Sequence, residues 1–133
     1  TATNVRSGSL ADRLLQGARA LTEFARPLSD SQWRTAVTGD GRAVGVIVHH
    51  VASVYPVEIQ LAQAIAAGNP VVGVTKAVID DMNAGHASEH AGATKEAALA
   101  LLRQNSAAAA AAIRARRTSA ESGRARAQPF QAA

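Results

Sequence analysis

The chain has 133 residues, enough for one domain with a single hydrophobic core. Its 32 alanines, its four aromatics and its lack of cysteine exclude an aromatic-rich core, disulfides, thiolate metal sites and cysteine nucleophiles. The net charge of +4 comes from residues 114–133, where five arginines stand against Glu121 alone, whereas residues 1–113 carry nine basic and nine acidic side chains. A neutral body with a basic end, and no aromatics among those arginines to stack bases, is weak support for a nucleic-acid platform; a tail that binds nucleic acid stays a third reading, and no nucleic-acid partner is expected.

The first helix is expected to start at Ser9, with Asp12 three residues on as a variant capping box. Leu10, Leu14, Ala18, Leu21, Ala25 and Leu28 then form one stripe, and Pro27 stops the helix. Ser29 and Gln32 repeat the start signal for a short turn bearing Trp33, and TGDG at 38–41 reads as a loop. A second long helix covers 42–67 and ends at Gly68-Asn69-Pro70. Its inward stripe is read as Ile47, His50, Val54, Leu61 and Ile65, with a kink near Ala52 caused by Pro56. Residues 74–90 read as a third helix with Ile79, Asn83, His86 and His90 on one line. A fourth starts at the N-cap Thr94 and runs through Leu99, Leu102, Ala109 and Ile113, its alanine run allowing close approach of a neighbour. No segment alternates with period two, so the fold class is all-α, most simply an antiparallel four-helix bundle. Residues 1–115 form the bundle, and residues 116–133 read as a basic, disordered tail with Phe130 as their one large apolar residue. The longest apolar run, AVGVIV at 43–48, is too short to span a bilayer, and the first residues TATNVRSGS contain no apolar leader. No membrane partner is expected, and the cytoplasm is the expected compartment.

Two histidine constellations carry chemistry. HASEH at 86–90 has the H-x-x-E-H spacing of inverted zinc metalloproteases, but it lacks a third ligand downstream, where the acids are Glu96 and Glu121. A small bundle also offers no cleft for an extended peptide, so the segment reads as an exposed helix surface. The adjacent pair His49-His50 is different, because neighbours on a helix point about 100° apart and one of them must face inward. His50 lies on the Ile47/Val54/Leu61 line, while His49 shares its face with Gly45, Ala52 and Ser53. An inward histidine is either a hydrogen-bonded core residue or a metal ligand with partners on other helices.

The segment GRAVGVIVHHVASVYPVEIQLAQAIAAG resembles the second helix of the DinB-like superfamily. That superfamily includes YfiT-type proteins and the N-terminal domain of mycothiol-dependent maleylpyruvate isomerases. The resemblance continues through VIDDMNAGHASEHAGATKEAALALLRQNSAAAAAAIRA and covers most of residues 9–115. It implies a four-helix bundle with a divalent metal, zinc or nickel, held near one end by three side chains. One of these is a second-helix histidine, matched here by His50. The other two come from H-x-x-x-H or E-x-x-x-H on the last helix, and no such motif follows Ile113. His86 and His90 have that spacing but precede the TKEAALALL helix, so the resemblance does not assign them the role. With one matching ligand of three, metal is expected to be held weakly or not at all.

The resemblance also implies a small thiol or thiol conjugate as partner and a transferase- or isomerase-like activity, with Trp33 and Tyr55 as candidate pocket lining. The alternative is a metal-free, non-catalytic bundle acting through self-association. The text changes abruptly after Ala115, so the family's last helix reads as missing or replaced, as a change of reading frame would do. That loss is expected to leave an apolar groove, covered by a second copy in a homodimer or left loosely packed.

Overall fold

The structure, a computed structural model, describes the backbone of residues 2–126 and the side chains of residues 5–115. It is all-α: α1 (Ala2–Ala25), α2 (Asp30–Trp33), α3 (Val44–Ala66), α4 (Lys76–Glu89) and α5 (Lys95–Arg126), with no strand among the described residues.

Most helix ends fall where local chemistry places them. The Ser29 hydroxyl accepts from the Gln32 backbone N–H at 3.1 Å, and the Gln32 side chain accepts from the Ser29 N–H at 2.9 Å, a complete capping box. Thr75 and Thr94 cap α4 and α5 by accepting the Val78 and Ala97 N–H groups, each at 3.2 Å. Gly68, with φ of +83°, closes α3 in the left-handed conformation open to glycine. Two ends differ from expectation. α1 begins at Ala2, so Ser9 lies inside a continuous helix rather than at its cap. At the other end α5 remains helical to Arg126, past the boundary expected at Ala115, because alanine and arginine are both strong helix formers. Residues 127–133, the rest of the expected tail, lie outside the described residues.

α5 packs along both α1 and α3. Ala25, Val48 and Ala98 share one core cluster with Trp33, and Ala18, Ala52 and Leu102 share a second. These pairings make α1 antiparallel to α5 and α3 parallel to it. An ion pair of 2.7 Å between Arg114 and Asp12 ties the far ends of α5 and α1. At the near end, Lys95 Nζ donates to the Arg26 carbonyl at 3.1 Å and to that of Leu28, satisfying acceptors freed where α1 stops. Alanines dominate the contacts: Ala11, Ala25, Ala52 and Ala98 are fully buried. Side chains this small let helix axes approach closely.

That close packing turns two helices away from the orientation their hydrophobic patterns suggest. On α1, Ala11 is buried while Leu10 is 55 % exposed. On α3 the inward line is Gly45, Val48, Ala52 and Tyr55, and Leu61 and Ile65 face solvent. Pro56 leaves the Ala52 carbonyl without its helical donor, and Asn105 of α5 supplies one through Nδ2 at 2.8 Å. α3 is also long and apolar enough to cross a membrane by length and composition, with a mean hydropathy of 1.2 over its best window.

α4 is the outlier, since it buries no residue and touches α3 near one end. The apolar side chains Val57, Leu61, Ile65, Val72, Ile79 and Met82, from the second half of α3 to α4, are all exposed. A separate groove of about 700 Å³ runs along α1 and α5, lined by Leu15, Ala18, Leu99 and Leu102 together with Arg19 and Arg103.

Candidate metal centre

All four histidines of the chain meet where the first half of α3 faces the end of α4. Two local facts bring them together. Trp33, 7 % exposed, lies against Gly45, whose missing Cβ leaves room for the indole. Its Nε1 donates to the Ala93 carbonyl at 2.9 Å, which pins the turn between α4 and α5. That turn follows directly on His90, whose backbone N–H closes the last turn of α4 on the His86 carbonyl at 2.9 Å. One turn apart, His86 and His90 therefore present both imidazoles toward α3. Trp33 is thus a core residue that positions the site, and Tyr55 packs against the second core cluster.

His49, His86 and His90 each offer a ring nitrogen, and the three nitrogens lie within 4.8 Å of one another. The closest pair is His49 Nδ1 and His86 Nε2 at 2.9 Å, a hydrogen bond between imidazoles. The His49 and His90 rings stack with centroids 4.2 Å apart, and the His86 and His90 centroids are 4.6 Å apart. His50, the ligand that the family resemblance picks out, stands beside this trio with its ring edge-on to His86 at 5.1 Å. The exposed-surface reading of HASEH is therefore corrected: His86 and His90 are both partly buried and join His49. The reason is spatial, because a pair that precedes α5 in the chain still reaches the α3 histidines when α4 folds back along α3.

The electrostatics suit a metal. Burial, reinforced by His90, His49 and His50, pushes the His86 pKa down to about 4. Burial first, and neighbouring charge second, also lowers those of His49 and His50. Imidazoles kept neutral near pH 7 bind a cation without releasing a net proton, once the hydrogen shared between His49 and His86 moves to the other nitrogen of its ring. His86 Nδ1 is buried without a hydrogen-bond partner. When the opposite nitrogen binds a metal, this nitrogen carries a hydrogen and requires an acceptor. The donor set fits a divalent ion of zinc type: three imidazoles, and so room for an exchangeable fourth ligand. The three histidines could hold a metal ion.

Arg42 and Asp40 stand in the loop ahead of α3. The loop is closed by a 2.9 Å bond from the Val37 N–H to the Arg42 carbonyl, with Gly39 and Gly41 both at φ of +85°. Arg42 donates to both Asp40 oxygens, Nε to Oδ1 at 2.7 Å and Nη2 to Oδ2 at 2.8 Å. Those bonds hold the Asp40 pKa at about 2. The only local sequence signal of this pair is a D-G-R run beside a glycine loop.

Compared with known proteins, the chain matches no protein-family model, no curated protein and no solved structure.

Proposed function

We propose that this chain is a DinB-like helical-bundle protein that binds one divalent metal, zinc or nickel, through His49, His86 and His90. The observation that carries the reading is the convergence of three imidazole nitrogens within 4.8 Å from two different helices. Three partly buried rings from two helices meet there, and three ligands are what an open zinc site uses. The resemblance in helix order and in the H-hydrophobic-Ala pattern around His50 supports the family. The difference is that the ligand pair lies on α4, and that His49 rather than His50 completes it. A metal held there supplies a Lewis acid able to stabilise a thiolate, in keeping with a small thiol or thiol conjugate as partner and with transferase- or isomerase-like chemistry. The chain's own residues contribute three imidazole donors and an indole that holds the α4 end in register.

The test is metal content after purification in zinc and extensive dialysis. One zinc per chain is expected, with His49→Ala, His86→Ala and His90→Ala each weakening it about 100-fold or more, and His50→Ala weakening it far less. A wild-type chain without metal, or one that keeps it in all three variants, overturns the reading.

A second reading, self-association without catalysis, is favoured by α4, which buries nothing of its own beneath an exposed apolar face. A second copy is the occupant that a self-complementary face provides. The two readings are compatible, since the face lies toward the opposite ends of α3 and α4 from the histidines.

A further inference from the structure

Two unfilled surfaces of the molecule match each other in shape and in charge. The first is the groove between α1 and α5. It extends over residues 15–26 and 96–107, about three helical turns on each side, and no residue of α3 or α4 lines it. Its floor is apolar, and its lining includes the exposed small side chains Ala100 and Ala107. A channel between two packed helices is the seat that a third helix takes, its side chains entering as ridges between theirs. Alanines beside the channel let the axis of that third helix come close.

The second surface is α4. Its 14 residues make about four turns, none of them buried. Val78, Ile79 and Met82 fall within about 100° around its axis, and all three are exposed. Their spacings of three and four are those with which an amphipathic helix anchors itself in a groove. The charges agree with that docking. Arg19, Arg26 and Arg103 stand at the groove against Glu23 and Glu96, and none of the three makes an ion pair among the described residues. α4 has the opposite balance, with Asp80, Asp81 and Glu89 against one lysine, Lys76. Two α4 faces set against each other would bring like charges together, whereas α4 in the groove brings opposite ones. The α4 of the same chain cannot fill the groove, because the His49–His86 bond and the pinned turn at Ala93 hold it against α3. The helix that enters must come from another chain.

We infer that the exposed face of α4 docks into the α1/α5 groove of a second copy of this chain. The inference rests on the self-association reading and states which surfaces meet. The chain has no cysteine, so single introduced cysteines report the contact without background. Met82→Cys and Ala100→Cys are made in separate chains, treated with a short bismaleimide alone and mixed, and the products are read by mass spectrometry. Links between positions 82 and 100 should outnumber links between two copies of position 82 several-fold. Ala100→Glu combined with Ala107→Glu puts negative charge where α4 arrives and should raise the dissociation constant of the copies about tenfold or more. The far-ultraviolet helical signal should be unchanged, since both positions are exposed. If that double variant fails to fold, the cross-link pattern decides. A wild-type chain that associates without the 82–100 link, or whose association survives both glutamates, overturns the inference and leaves self-association through another contact. A wild-type chain that is strictly monomeric overturns both.

Discussion

At the scale of single residues, the histidine centre ties stability to pH in the metal-free protein. The folded-state pKa of His86 is lowered to about 4 from an ordinary 6.5, so the unfolded chain accepts a proton that the folded chain refuses. Stability is therefore full above about 6.5 and is lost progressively as pH falls toward 4. His49 and His50 are displaced in the same direction. After a discount for the solvent these rings still meet, the loss between pH 7.5 and 4.5 should be about 1–2 kcal/mol. Urea midpoints of chelator-treated protein measure it, and His86→Gln should flatten the slope; a midpoint indifferent to pH would contradict the assignment. Gly45 has a different sensitivity. A methyl group there runs into the Trp33 ring, whose Nε1 holds the end of α4. Gly45→Ala should therefore destabilise the fold by about 1–3 kcal/mol and weaken zinc binding together with it, although residue 45 touches no metal.

At the scale of helices, Pro56 and Asn105 make a coupled pair. Proline inside α3 removes the donor for the Ala52 carbonyl, and the Asn105 amide replaces it from α5. Asn105→Ala strands that carbonyl inside the helix contact and should cost about 1–3 kcal/mol. Restoring the backbone donor with Pro56→Ala should recover much of the loss, because the carbonyl regains its helical partner. A double-mutant cycle by urea denaturation measures the coupling, expected at about 1 kcal/mol. Strict additivity would show that the bond carries no weight. The same bond fixes the register of α3 against α5, and so the height at which His49 meets α4.

For the molecule as a whole, the unbalanced feature is the apolar face from Val57 to Met82. Ile65 is 62 % and Val72 80 % exposed, on a side of the chain where α4 has no core of its own. Patches of that kind on soluble chains are usually interaction surfaces. Light scattering should find a dimer, and Ile65→Glu combined with Val72→Glu should yield a monomer with an unchanged far-ultraviolet helical signal. A wild-type chain that is well folded and strictly monomeric would mean that its own helices suffice, and the self-association reading would fall.

Helix existence, order and most helix ends were legible in the sequence because they depend on bonds spanning three or four residues. The Ser29/Gln32 box, Thr94 and the Gly68 stop all act locally, and each is found where the sequence places it, whereas the Thr75 cap emerged only with the structure. Facing was not legible. α3 is apolar on nearly every side, so its pattern could not choose between the His50 line and the Gly45/Ala52 line. Contact with the alanines of α5 chose the second, since glycine and alanine permit the closer approach. Nor could the text join His86 and His90 to His49, across 37 and 41 residues of chain. That meeting is decided by α4 folding back along α3 and by the hydrogen bond from Trp33 to Ala93, a contact 60 residues apart in sequence that spacing along the chain does not encode.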